Sequence, residues 1–172
     1  MAANYLIALG SNRRHGRHGA PAGVVGAAVA ALAAAGQPVV RCSRIHATAP
    51  LGPGGRTYAN AVVEVASQLA APELLALLKS IEAAFGRRGG RHWGARVLDL
   101  DLIGHGDAVL PSRPGWRTAR GLTLPHPRLH QRAFVLDPLI EVAPDWRHPV
   151  LGATARQLHA RLHRPKATSP SP

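Results

Sequence analysis

The sequence predicts an α+β domain with a βαββαβ element order, an antiparallel sheet and its helices on one face, followed by a C-terminal extension. Three observations predict this. Short apolar or alternating runs recur at residues 5–9, 37–48, 60–66 and 97–103, as strands require. Two stretches of helical spacing separate the first run from the second and the third from the fourth: Val25, Val29 and Leu32, then Leu74, Leu78, Ile81 and Phe85. Glycine and proline punctuate nearly every junction. In sum these describe a split βαβ arrangement of the ferredoxin-like kind.

Each element has a local reason. Residues 5–9 form an apolar run that stops at Gly10-Ser11-Asn12, a strand followed by a turn. Residues 13–23 carry four glycines or prolines and five basic or histidine side chains, which predicts a loop. Gly36 ends the first helix. Residues 37–48 are β-branched in their first part, and 50–55 are rich in glycine and proline. Ala61, Val63 and Val65 alternate with Val62 and Glu64. Pro72 opens the second helix and Gly86 closes it. A glycine- and arginine-rich loop, 87–90, precedes the fourth strand. Residues 107–121 predict a long loop or hairpin, 132–139 a short helix, and Ala155, Leu158 and Leu162 a C-terminal helix. Residues 1–163 are expected to form one domain. Residues 164–172 are expected to be a disordered, Pro/Ser-rich tail.

Composition narrows the function classes. The chain has 172 residues, enough for one domain that buries a core without disulfides. Its one cysteine, Cys42, cannot form an intrachain disulfide and is expected to be a small core or sheet residue. The start does not read as a signal peptide, and the Ala-rich stretch 24–35 is too short for a membrane span. A cytoplasmic enzyme is the expected class. The formal net charge is +12 and the pI about 11.7, which suits anionic partners. Nearly all of the basic charge is arginine, as a biased coding composition would also produce, so only arginines clustered near motifs count as functional.

The strongest local signal is Leu98-Asp99-Leu100-Asp101-Leu102. Side chains alternate along a strand, so the leucines share a buried face and the aspartates the other, about 6.5 Å apart. Two such carboxylates suit one or two hard cations of the kind used in phosphoryl transfer. An ordinary half-exposed edge strand is the alternative. Arg87, Arg88, Arg91 and Arg96 precede the pair in a glycine-rich setting, and guanidinium groups bind phosphate bidentately. Metal-binding carboxylates beside phosphate-binding arginines are what phosphoryl transfer requires. Weaker signals are Tyr58-Ala59-Asn60, an aromatic face beside an amide, Phe134, and His126 between two prolines with Arg128 and Arg132 following.

Taken in order, these segments resemble the 6-hydroxymethyl-7,8-dihydropterin pyrophosphokinase family. The resemblance is carried by residues 5–12 (YLIALGSN), 48–52 (TAPLG), 58–60 (YAN), Ile81-Glu82 and Gly86-Arg87. It continues in 93–101 (WGARVLDLD), 124–128 (LPHPR), 132–134 (RAF) and Pro138-Leu139 to Pro144. It implies an ATP-dependent diphosphotransferase of folate biosynthesis that passes pyrophosphate from ATP to the hydroxymethyl dihydropterin and releases AMP. Asp99 and Asp101 would hold two magnesium ions, and Arg87 and Arg96 would grip the phosphates. Trp93, Leu102, Thr123, His126 and Arg132 would surround ATP. Tyr58 and Phe134 would sandwich the pterin, Asn60 would bond its polar edge, and Gly10, Thr48, Ala49 and Leu51 would line the pocket. Glu82 matches a family position near the sites. The expected protein is a monomer with no nucleic-acid or membrane partner.

The sequence departs from the family pattern at His92, Ala95 and Ala49, where arginine, proline and proline are usual, and at Gly121, where some members carry a basic residue. None of these removes a core catalytic position. Two other readings stay open: an RNA-binding module, since the element order and charge also suit one, and a non-catalytic relative that only binds pterin.

Overall fold

The computed structural model describes residues 3–48, 56–86 and 97–164. Its strands are β1 (Ala3–Ser11), β2 (Val39–Cys42), β3 (His46–Thr48), β4 (Tyr58–Ser67) and β5 (Asp99–His105). Its helices are α1 (Pro21–Ala34), α2 (Ala71–Ala84), α3 (Ala133–Val142) and α4 (Ala155–Leu162), with a 3-10 turn at Leu129–Gln131. The order up to β5 is the expected βαββαβ once β2 and β3 are counted as the single predicted second strand. The sheet runs β2-β4-β1-β5, with β3 also on β4 and every pairing antiparallel.

β1 divides two cores. Tyr5, Ile7 and Leu9 point to one face, where they pack with Val24, Val25, Ala28 and Leu32 of α1 and Leu74, Leu78 and Ile81 of α2. This is the expected pair of helices on one face. Leu6 points to the other, where it meets Val62, Ile103, Leu136 and Leu139 of α3 and Leu158 of α4. The C-terminal extension thus forms a third layer, covering a sheet face that the first five strands alone leave open.

Several boundaries differ from the sequence expectation, each for a local reason. The predicted second strand, 37–48, is broken into β2 and β3. At the break, Ser43 Oγ accepts from Val62 N at 3.0 Å, doing a ladder carbonyl's work, while Ser43 N donates to Val62 O at 3.0 Å. The predicted loop 13–23 ends early, because Pro21 opens α1 inside it. Gly23 allows this: a Cβ there would stand 2.2 Å from the His18 carbonyl oxygen. β5 runs two residues further than expected, through a bulge. Ile7 pairs with Leu102 and Leu6 with Gly104, so Ile103 is the extra residue, and Ile103 and Gly104 both face the second core, where Leu6 and Trp146 lie. α3 continues past Pro138 to Val142 despite the bond and the room a proline costs inside a helix, because Leu139 and Val142 beyond it are buried in the second core. Cys42 is a sheet residue as expected, but exposed. The predicted tail from residue 165 lies outside the described residues.

The second core encloses one titratable group with a measurable consequence. His148 is fully buried, with ring contacts to Trp116, Trp146 and His130. Its Nδ1 accepts from Val150 N and Leu151 N at 3.3 and 3.2 Å. Burial, and then the neighbouring His130, hold its pKa down at about 4. The unfolded chain, with an imidazole near 6.5, therefore binds more protons between these values. Stability should be complete above about pH 6.5 and fall as pH drops toward 4, by on the order of 3 kcal/mol. His148→Asn keeps an acceptor for the two N–H groups and does not titrate. Urea unfolding at pH 7 and 4.5 should show a smaller acid loss in the variant; equal losses would refute the assignment.

Candidate active site

The site grows from strand register. Gly10 of β1 faces Asn60 of β4 on one side and Asp99 of β5 on the other. One row across the sheet thus holds an amide, a bare backbone position and a carboxylate. In the next row Ala8 pairs with Val62 and Asp101. As expected from alternation, Leu98, Leu100 and Leu102 are buried in the α1/α2 core, and Asp99 and Asp101 project from the opposite face. Gly10 is needed for close approach: a Cβ would lie 3.2 Å from Asn60 Oδ1. Asn60 is buried, and its Nδ2 donates to Thr48 Oγ1 of β3 at 3.0 Å. The polar edge of Asn60 is thereby oriented before any ligand arrives.

Two aromatic rings stand on this side of the sheet. Tyr58, two residues before Asn60 on β4, is 44% exposed; Phe134, in the first turn of α3, is 43% exposed. Rings of this size are commonly covered in a folded chain. α3 is held to the β2–β3 edge by Glu141, which accepts from Arg44 Nη2 at 2.9 Å and from Arg44 N at 2.8 Å and pairs with His46 Nε2 at 2.9 Å. The Arg44 hydrogen bond above all pulls the Glu141 pKa down to about 2. Arg41 adds a bond to the Val142 carbonyl at 3.1 Å.

Beyond the acidic pair, the outer edge of β5 opens into a cleft of about 460 Å³. Its lining includes Asp101, Leu102, Thr123, His126, Arg128 and Arg132, with Lys79 reaching in from α2. The chain near Pro125 runs along this edge, and His126 N donates to the Ile103 carbonyl at 3.0 Å. Gly121 also lines the cleft with a φ of +90°, a conformation in which a side chain is strained. The Arg132 guanidinium lies 4.0 Å from Asp101 Oδ2 and 5.6 Å from the Phe134 ring centre, linking the cleft to the aromatic wall.

Electrostatics in the cleft are crowded. Burial, then the Asp99 carboxylate, raise the Asp101 pKa, with His126, Lys79 and Arg132 opposing. Burial lowers that of His126, against the pull of Asp101. Two half-buried carboxylates that resist sharing negative charge, with only oxygen donors, fit a hard divalent cation, whose charge removes the conflict.

Glu82 has a larger part in the site than its place in the sequence suggests. The Glu82 side chain, on α2, is fully buried. It accepts from Leu100 N at 2.7 Å and from Lys79 Nζ at 2.9 Å, and Lys79 Nζ also reaches the Leu100 carbonyl at 3.3 Å. Leu100 lies between the two aspartates, and its N–H and C=O face outward from the sheet edge. The Glu82–Lys79 pair closes that edge and sets the strand segment carrying both carboxylates. The available signal was a glutamate four residues after Leu78, on the apolar stripe of an amphipathic helix.

With this geometry in view, comparison with known proteins decides the family. A family model described as 7,8-dihydro-6-hydroxymethylpterin-pyrophosphokinase (HPPK) matches residues 6–144. The chain belongs to the HPPK family. Among curated relatives, the 2-amino-4-hydroxy-6-hydroxymethyldihydropteridine pyrophosphokinase of Synechocystis sp. is 46% identical over 132 residues, 76% of this chain and 64% of that relative. The Methylorubrum extorquens protein of the same description is 38% identical over 164 residues, 94% of each chain. The crystal structure of Plasmodium falciparum HPPK-DHPS superposes with a TM-score of 0.71 at 13% identity, covering 94% of this chain and 45% of that one; at that identity it shows the fold. The chain therefore spans less than two thirds of the Synechocystis relative and less than half of the Plasmodium chain.

Within this HPPK fold, the structure brings Gly10, Thr48, Tyr58, Asn60, Asp99, Asp101, Leu102, Thr123, His126, Arg132 and Phe134 to one side and edge of the sheet. Arg87, Trp93, Arg96, Ala49 and Leu51 lie outside the described residues, as do His92 and Ala95. Removing the Glu82 carboxylate should cost about 1–3 kcal/mol, the penalty of a buried N–H left without its acceptor. The Lys79 side chain, 40% exposed, can turn to water, so the larger cost of a stranded buried charge does not apply. Urea unfolding of Glu82→Ala checks this; an unchanged midpoint would show that the Leu100 bond is not limiting.

Proposed function

We propose that this chain transfers the pyrophosphoryl group of ATP to 6-hydroxymethyl-7,8-dihydropterin and releases AMP, as a step of folate biosynthesis. One observation carries the reading: the Asp99–Asp101 pair stands between an amide-and-aromatic wall on one side and a cationic cleft on the other. The wall, Asn60 with Tyr58 and Phe134, suits a flat heterocycle with a donor–acceptor edge. The cleft, with Arg128, Arg132, His126 and Lys79, suits a triphosphate. Membership of the HPPK family and the likeness to the pyrophosphokinases of Synechocystis sp. and Methylorubrum extorquens support the same assignment.

In this reading the pterin lies between Tyr58 and Phe134, with Asn60 pairing its polar edge and Gly10, Thr48, Ala49 and Leu51 around it. ATP occupies the cleft among Trp93, Leu102, Thr123, His126 and Arg132. Two magnesium ions, held by Asp99 and Asp101, would supply charge neutralisation for the phosphates. The hydroxymethyl oxygen of the pterin forms a bond to the β-phosphorus and loses its proton. The bond from that phosphorus to the α,β-bridging oxygen breaks, and AMP departs with the oxygen. Arg87 and Arg96 offset the charge that builds on the transferred group. Catalysis then consists of alignment and fixed charge. The protein acts as a cytoplasmic monomer, with no nucleic-acid or membrane partner.

The deciding assay supplies purified protein with magnesium, ATP and the hydroxymethyl dihydropterin and follows AMP by chromatography. Pterin-dependent AMP with a pyrophosphorylated pterin is expected. Saturable pterin binding without AMP would favour a non-catalytic relative. Asp99→Ala and Asp101→Ala should each abolish turnover in a folded protein; full activity in either removes the metal assignment. Arg96→Ala should lower turnover by roughly 10²–10³, the scale for losing one preorganised donor. Gly10→Ala should displace the Asn60 amide and weaken pterin binding more than ATP binding, which calorimetry with each ligand resolves.

A further inference from the structure

The outer surface where α4 meets α3 carries a second cluster of chemical groups, centred on Asp137, about one turn along α3 from Phe134. His159 on α4 and His163 at its C-terminal cap are four residues apart, so both imidazoles lie on one face of the helix. Asp137 of α3 stands opposite them. Its Oδ1 lies 3.0 Å from His159 Nε2 and 3.1 Å from His163 Nε2. The two rings are 4.4 Å apart between centroids, and the three ligand atoms all fall within 4.8 Å of one another.

The geometry points to a divalent transition-metal site of two imidazoles and one carboxylate, with Zn²⁺ as the best-suited ion. A zinc ion sits about 2.0–2.2 Å from nitrogen and oxygen ligands. In a tetrahedron that places neighbouring ligand atoms about 3.3 Å apart. The two aspartate–histidine separations need widen by only a few tenths of an ångström, and the two imidazole nitrogens, within 4.8 Å of each other, must draw together to the same spacing, both within the reach of side-chain torsions. All three residues are partly exposed, so water can complete the coordination and the ion has an open path. The donor set also discriminates between metals. Imidazole selects zinc, nickel, copper or cobalt over magnesium, which takes oxygen ligands. The Asp99–Asp101 pair offers oxygen only, so the two places differ in the ions they accept.

An ion here would tie α4 to α3. Hydrophobic packing already joins these helices through Leu136, Leu139 and Leu158, but α4 is only eight residues long. Its start is secured by a reciprocal cap, with Thr154 Oγ1 accepting from Gln157 N at 3.2 Å and Gln157 Oε1 accepting from Thr154 N at 3.0 Å. The metal would fasten the other end. A ligand that binds only the folded chain raises its melting temperature.

The test uses the full chain without a histidine tag, in millimolar magnesium so that oxygen-only sites are saturated. Zn²⁺ is titrated by calorimetry, and Co²⁺ by its visible absorption, alongside thermal unfolding. The expected result is uptake of one equivalent, a raised Tm, and cobalt bands showing nitrogen coordination. His159→Gln/His163→Gln together should abolish the uptake and the Tm shift, and Asp137→Asn should weaken affinity by more than about 100-fold, beyond the roughly 10–100-fold that loss of a supporting outer residue costs. Both substitutions are at partly exposed positions, and the metal-free Tm of each variant reports that it folds. No uptake by the parent protein, uptake undiminished in the double histidine variant, or uptake without a Tm shift would overturn the inference.

Discussion

Burial of β1 on both faces is the constraint on which the rest of this structure depends. Ile7 belongs to the core under α1 and α2, and Leu6 to the core under α3 and α4. A slip of one residue would exchange every side chain between them, so the register with β4 and β5 has no near competitor. The same register sets Asn60, Gly10 and Asp99 side by side. The site inherits its precision from hydrophobic packing several ångströms away, and no bond within the site has to create it.

β5 presents a different problem, because an edge strand leaves backbone groups without strand partners. Here each side of the edge is closed by a specific group. Glu82 and Lys79 take the N–H and C=O of Leu100, and the N–H of His126 takes the carbonyl of Ile103. These bonds hold the strand that carries the acidic pair and leave its side chains facing the cleft. A loop could display two carboxylates, but would let them separate under mutual repulsion. A strand anchored on both edges resists that and keeps the pair in the crowded state that favours a cation.

Much of this was legible in the chain. The alternation of Leu98, Leu100 and Leu102 with Asp99 and Asp101 gave both the strand and its two faces, since period-two patterning is a local property. The helical stripes of α1 and α2 were legible for the same reason. The break at Ser43 was not, because a hydroxyl that replaces a ladder carbonyl shows itself only when Val62 is opposite. The bulge at Ile103 was hidden likewise: a continuous apolar run does not reveal that alternation breaks after it, so that Ile103 and Gly104 share a face. Glu82 read as a residue of unsettled role until Leu100 N was seen 2.7 Å away.

What the sequence determined by itself was the set of elements, the amphipathic faces that pair them, and the residue types able to meet a flat heterocycle, phosphate groups and a hard cation. These follow from spacing and chemistry within short segments. What the tertiary structure decided was juxtaposition. Asn60, Gly10 and Asp99 share a row although β4 and β5 are separated by a helix. Arg132 bridges Asp101 and Phe134, and two histidines of α4 converge on Asp137 of α3. Such meetings depend on loop closure and on competition between two cores for each side chain. Those are energies of the whole chain, and no local pattern records them.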